Sequence, residues 1–195
     1  MDHEKEILAI LKCYLVSHGI TTVKIIGSSA GGYAAIRIGS RLDSWLKSRS
    51  DRVTVLSFAI NPQTGFRPSL VRQINDAVAS SGWTGPRLGV DPIMMSQTCL
   101  DNHRDRQIEL RDFLASEQPR DFGVALMYDN LNPIDATFAQ DLAHLNYVVR
   151  MPTPLRMGHV EGCAHILTHD LWKVFDKAVP IPLLADAHRD LRALN

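Results

Sequence analysis

The sequence has no excess charge of either sign: 21 Lys plus Arg stand against 21 Asp plus Glu, a formal net charge of zero. That excludes a general nucleic-acid binder, whose surface carries a basic excess. Cysteine is scarce. Cys13, Cys99 and Cys163 are far apart, one of them is left over in any disulfide scheme, and there is no C-x-x-C pair. This is the cysteine usage of a reduced, intracellular chain. No apolar run approaches the roughly 20 residues needed to cross a membrane. The acidic start Met1-Asp2-His3-Glu4-Lys5-Glu6 lacks the basic opening of a signal peptide. The expectation is a cytoplasmic protein with no membrane and no nucleic-acid partner. Internal repeats and low-complexity tracts are also missing.

What is present is enough chain for one domain, 1–195. A chain of this length buries about 70% of its unfolded surface and needs no staples. Ile7, Ile10, Leu11, Tyr14 and Leu15 recur at helical spacing until Gly19. A short strand follows at 22–26, then a helix from 30 to 42 or on to 47, with Tyr33, Ala34, Ala35 and Ile38 as the face that lies on a sheet. A second strand at 53–60 ends in Asn61-Pro62-Gln63-Thr64-Gly65, a turn signal. Residues 66–118 read as connection and lid: a helix at 70–79, a loop with Gly82, Gly85, Pro86 and Gly89, and a charged helix at 95–116. A third strand at 122–128, a helix at 136–145, a fourth strand at 147–150, a Pro- and Gly-rich loop and a helix after His165 complete the pattern. Strands alternating with helices predict an α/β fold with a parallel sheet. Its strands are buried on both faces, and its sites form at the C-terminal edge.

The chain is organised around Gly27-Ser28-Ser29-Ala30-Gly31, a G-x-S-x-G with a strand before it and a helix after it. This pattern places a serine on a sharp strand-to-helix turn. Gly27 and Gly31 are the positions where a Cβ is expected to clash. The Ala30 N–H, at the helix start, can donate to an oxyanion. A serine hydroxyl needs a base, and the base needs an orienting acid. The order Ser, Asp, His along the chain supplies them: Ser29, then Asp135 or Asp129, then His165, with His159 and His169 as the other histidines in reach. Asp129 directly follows the third strand. Asp135 stands where an N-cap of the next helix is expected.

The chain resembles the C-terminal part of the α/β-hydrolase fold. It is most similar to small bacterial hydrolases with a G-S-S-x-G-G-Y elbow, a Pro-Gln-Thr after the next strand and a G-x-x-H near the end, here at 27–33, 62–64 and 162–165. The resemblance implies a three-layer α/β-hydrolase-like core and a serine esterase acting on ester-like acyl bonds. It implies Ser29 as nucleophile, Asp135 as acid and His165 as base, with no cofactor. The substrate it implies is a small-molecule or glycan-linked ester. In that superfamily several strands precede the elbow strand; here one helix does. The missing part carries the second oxyanion donor, so a homodimer or a missing N-terminal segment is expected to supply it.

Two other classes fit parts of the sequence. An incomplete hydrolase core would be a binding module that uses its open sheet edge. A metal-dependent hydrolase would use His159, Cys163, His165 and His169, residue types that zinc takes. The Ser-Asp-His order already accounts for one of these histidines, and the reading assigns no metal.

Overall fold

The computed structural model describes residues 3–46, 53–84, 109–117 and 121–175 of the 195. Its centre is a four-stranded sheet of β1 (Thr22–Ser28), β2 (Thr54–Ile60), β3 (Phe122–Asp129) and β4 (Val148–Thr153). The strands lie in chain order and every neighbouring pair is parallel. The helices are α1 (His3–Ser17), α2 (Ala30–Leu46), α3 (Pro68–Ser80), α4 (Leu110–Glu117), α5 (Pro133–Asp141) and α6 (His159–His165). A π-helical turn, Ile166–Asp170, continues α6 into α7 (Leu171–Phe175). The α/β class expected from the alternation is the class observed.

Side chains alternate across a strand, and the two faces of this sheet are covered by different helices. Val55 and Ala59 of β2 and Val124, Leu126 and Tyr128 of β3 pack with α2, α4 and α5 through Ile36, Leu42, Phe113, Leu114 and Ala139. Their neighbours Leu56, Phe58, Ile60, Ala125 and Met127 pack with Ile166 and Leu171 on the other face. A smaller cluster joins α3 to α5 through Leu70, Ile74, Ile134 and Phe138. β1 lies at the edge of the sheet and is only partly covered; Ile26 is 38% exposed.

The register aligns the strand ends. Ser28 pairs with Ile60, Ile60 with Met127, and Met127 with Met151. The chain therefore leaves all four strands along one edge, and the segments carrying Ser29, Asp135 and His159 emerge together. On the flank, Arg67 bridges Glu109, at 3.1 Å, and Asp141. Thr64 Oγ1 donates to the same Asp141 carboxylate at 3.0 Å. These contacts fix the start of α3 against α5.

Several boundaries and faces differ from expectation. The α2 face that enters the core is Gly32, Ala35, Ile36, Gly39, Leu42 and Leu46, while Tyr33, Ala34 and Ile38 are half-buried. The reason is close approach: a Cβ on Gly39 would overlap Ser57 Oγ and come within 2.7 Å of the Phe122 ring. Of the α1 apolar series, Leu15 enters the core, whereas Ile7, Ile10 and Tyr14 are exposed. α5 starts at Pro133 and α6 at His159, both earlier than predicted. The charged helix at 95–116 falls within the described residues only from Glu109 on. Gly85, Pro86, Gly89, Met94, Met95, Cys99 and the segment after Pro182 lie outside them. Among the described residues no helix is long and apolar enough to cross a membrane.

The Gly39 contact generates a prediction. Alanine in a helix interior is worth about 1 kcal/mol over glycine, but overpacking a filled core costs about 1–3 kcal/mol. Ser57 Oγ is tied to Ala35 O at 2.8 Å and cannot yield freely. Gly39→Ala is expected to lower the urea midpoint; an unchanged or higher midpoint contradicts the packing described.

Candidate active site

The site begins with a strained turn. Ser29 has a φ of 53°, a left-handed conformation that costs a non-glycine residue roughly 1–2 kcal/mol. Three backbone bonds hold it there. Its N–H donates to Ile60 O at 2.9 Å, and its carbonyl accepts from Gly32 and Tyr33 at 3.0 and 3.2 Å. The turn is tight because Gly27 has no Cβ; one built there would overlap the Gly31 carbonyl. The second glycine with a steric reason is Gly32, not Gly31. A Cβ on Gly32 would lie 2.9 Å from Pro62 Cβ, while one on Gly31 meets nothing within 4 Å. Ala30 opens α2, so its N–H has no acceptor within the helix.

The histidine that meets Ser29 is His159. Its Nε2 lies 2.8 Å from Ser29 Oγ, and its Nδ1 lies 2.7 Å from Asp135 Oδ1. With Nδ1–H given to the carboxylate, Nε2 accepts from the serine hydroxyl. His165, the base implied by the resemblance, is not in this chain of hydrogen bonds. It stacks on His169, ring centroids 4.5 Å apart. Helix geometry explains the difference. His165 is six residues beyond His159 on one helical segment, which at about 100° per residue turns its side chain some 120° away. Cys163, four residues on, shares the face of His159 and brings Sγ to 4.0 Å from Nε2.

The two candidate acids have separate tasks. Asp135 is buried and faces His159. It does not cap α5: Asn132 does, accepting from the N–H groups of Ile134 and Asp135 at 3.0 and 3.4 Å. Pro133 follows at the first helical position, as a proline suits. Asp135 is thereby left in the first turn with its carboxylate free to reach the imidazole. Asp129 is fully buried and accepts four backbone N–H groups. Oδ1 takes Leu131, Leu155 and Arg156 at 3.0, 3.1 and 3.2 Å, and Oδ2 takes Met157 at 2.8 Å. It ties the loop after β3 to the loop after β4, and the second of these ends at His159.

Two residues that sequence reasoning passed over complete the support. Asn61, read only as part of a turn, is fully buried with a φ of 42°. Its N–H donates to Met127 O at 2.8 Å, and its Oδ1 accepts the Asp129 N–H at 3.1 Å. Asn132 Nδ2 donates to Met157 O at 3.1 Å, a second tie between the same two loops. The Asn132-Pro133 pair was the available signal, since a capping residue before a helix-opening proline marks a helix start.

The electrostatics follow from these contacts. The hydrogen bond to Asp135 raises His159 above the ordinary imidazole range; the Cys163 contact acts the same way, and burial opposes both. Burial raises the Asp135 carboxyl, and the imidazole opposes that. Among the described residues no three His, Cys, Asp or Glu side chains cluster as a metal site. An imidazole held this way can take a proton from the serine hydroxyl and return it to a leaving group.

Two outcomes test this geometry. In an NMR titration of the His159 ring, the midpoint lies above about 6.5, the unperturbed value. Asp135→Asn removes the main cause of the upward shift, so the midpoint then falls. A midpoint that ignores Asp135→Asn contradicts the pairing. Asp129→Asn replaces one acceptor oxygen with a donor that faces backbone N–H groups. Bonds to a charged group are worth about 1.5–3 kcal/mol each, so urea denaturation should show a loss of at least about 2 kcal/mol. An unaffected protein would mean that Asp129 does not hold the loops.

No protein-family model matches the chain, and no curated protein sequence matches it. The functional reading therefore stands on the side chains brought together at the sheet edge.

Proposed function

We propose that the protein is a serine hydrolase of ester-like acyl bonds. The observation that carries the reading is the unbroken chain Asp135 Oδ1–His159–Ser29 Oγ, at 2.7 and 2.8 Å. In this reading Ser29 Oγ attacks the acyl carbonyl while His159 Nε2 takes the hydroxyl proton. The C–O bond to the leaving group breaks as His159 returns that proton to it. Water, deprotonated by His159, then releases the acid and restores the hydroxyl. Asp135 keeps the imidazole in the tautomer that leaves Nε2 open, and steadies its charged form. The Ala30 N–H, at the positive end of α2, is in this reading the donor to the charge that develops on the carbonyl oxygen.

Two further features support the reading. The strain at Ser29 belongs to a serine presented on a sharp turn, and strained conformations persist where the surroundings overdetermine them. The order of residues, Ser29, Asp135, His159, with each following a strand at the C-terminal edge of a parallel sheet, is that of an α/β-hydrolase. The resemblance noted in the elbow sequence points to the same superfamily, with His159 taking the place first given to His165.

Labelling with a fluorescent fluorophosphonate tests the proposal. Wild type labels. Ser29→Ala and His159→Ala lose the signal by a factor of 10³ or more, roughly the scale seen when a triad member is removed. His165→Ala labels like wild type. Equal labelling of wild type and Ser29→Ala would sink the assignment, and loss in His165→Ala but not His159→Ala would transfer the base to His165.

A further inference from the structure

A cavity of about 290 Å3 opens between the two loops that deliver the acid and the imidazole. Leu131 and Pro133 line it from the loop after β3, Arg156 from the loop after β4, and Trp83 from beyond α3. Pro133 is two residues before Asp135, and Arg156 is three before His159. Consecutive Cα atoms are 3.80 Å apart, so the Arg156 Cα lies within about 11 Å of that of His159. A short organic chain or one ring spans such a distance.

Among the described residues the lining of the cavity carries one charge, that of Arg156. The Arg156 side chain is exposed and has no hydrogen-bond or ion-pair partner among the described residues. Among the described residues no acidic side chain lines the cavity. The carboxylates on the same loops, Asp129 and Asp135, are buried and engaged with backbone N–H groups and with His159. The backbone that carries the cation is held from below. Arg156 has a φ of 57°, and its N–H is bound to Asp129 Oδ1 at 3.2 Å. A left-handed arginine is kept only where the surroundings overdetermine it. Beside it Leu131 is 48% exposed, and the Trp83 backbone N–H donates to Ser81 Oγ at 3.3 Å. The walls are thus one guanidinium on an anchored stretch of backbone, the apolar Trp83, Leu131 and Pro133, and the uncharged polar Ser81 and Asn130.

We propose that this cavity is a substrate subsite for a carboxylate-bearing ester, with the carboxylate on Arg156 and the carbon skeleton against Trp83 and Leu131. The inference rests on the hydrolase reading and adds a substrate class to it. A single guanidinium can satisfy a carboxylate through two parallel N–H···O bonds. One guanidinium balances the single negative charge of a carboxylate, whereas it would leave a phosphate dianion half neutralised.

The test compares matched 4-nitrophenyl esters, pentanoate against the hemiester of glutarate, together with butyrate esters of phenol and of 4-hydroxybenzoate. These place the carboxylate in the acyl chain or in the leaving group. The expected result is a kcat/KM about 10-fold higher for the charged member of at least one pair, in line with a charge-assisted bond. Arg156→Gln brings that ratio close to one, and Arg156→Lys retains part of it. Equal rates within both pairs in wild type, or a ratio that survives Arg156→Gln, would overturn the subsite. If no ester is turned over, the hydrolase reading fails on its own account and binding decides the subsite. Titration with glutarate and 4-hydroxybenzoate, followed by tryptophan emission, should saturate in wild type for at least one of them. The change should vanish in Trp83→Phe and weaken at least 10-fold in Arg156→Gln. No saturable response to either acid, or an affinity indifferent to Arg156→Gln, would contradict it.

Discussion

The site depends on one buried carboxylate whose oxygens both bind backbone amides. Asp129 ends β3 and accepts N–H groups from Leu131, Leu155, Arg156 and Met157. A negative charge removed from water must be well paired, and backbone amides supply the pairing here. The consequence is geometric. The loop after β3, which leads to Asp135, and the loop after β4, which leads to His159, are held on one anchor. Asn132 adds a tie between the loops, and Asn61 adds one from the end of β2. Hydrogen bonds to a common acceptor thus fix where the acid and the imidazole stand.

The other half of the site is set by the sheet. Parallel pairing with aligned strand ends puts the turn after β1 beside these loops. Close approach at Gly27 and Gly32 lets the chain reverse directly into α2. Ser29 absorbs the conformational cost of that reversal. Its bond to Ile60 O connects the elbow to β2, whose next residue, Asn61, is bonded to β3 and to Asp129. A continuous hydrogen-bonded framework therefore runs from the serine to the imidazole beneath the side chains that meet above it.

Much of this was legible in the residues. The strands show as continuous apolar runs because β2 and β3 are buried on both faces. The elbow shows because its glycines are steric necessities, although the second necessary glycine is Gly32 rather than Gly31. Asp135 and Asp129 were both in view, but what separates them is long-range: Asp129 is occupied by amides up to 28 residues away. The histidine was harder. Choosing His159 over His165 requires knowing that α6 begins at His159, and the preceding loop has no apolar period to mark that start. Once the helix begins there, its pitch alone turns His165 away. The supporting asparagines were hidden for a related reason: Asn61 reads locally as a turn, the cap was expected at Asp135 rather than Asn132, and the bonds that matter cross between strand ends.

The most direct measurement of the proposed reaction is rapid-mixing hydrolysis of 4-nitrophenyl acetate, quenched in acid and followed by peptide mapping. The account predicts a burst of 4-nitrophenol close to one per protein molecule, with one acetyl group on the peptide that carries Ser29. Turnover without an acyl group on Ser29, or acylation of another residue in its place, would contradict it.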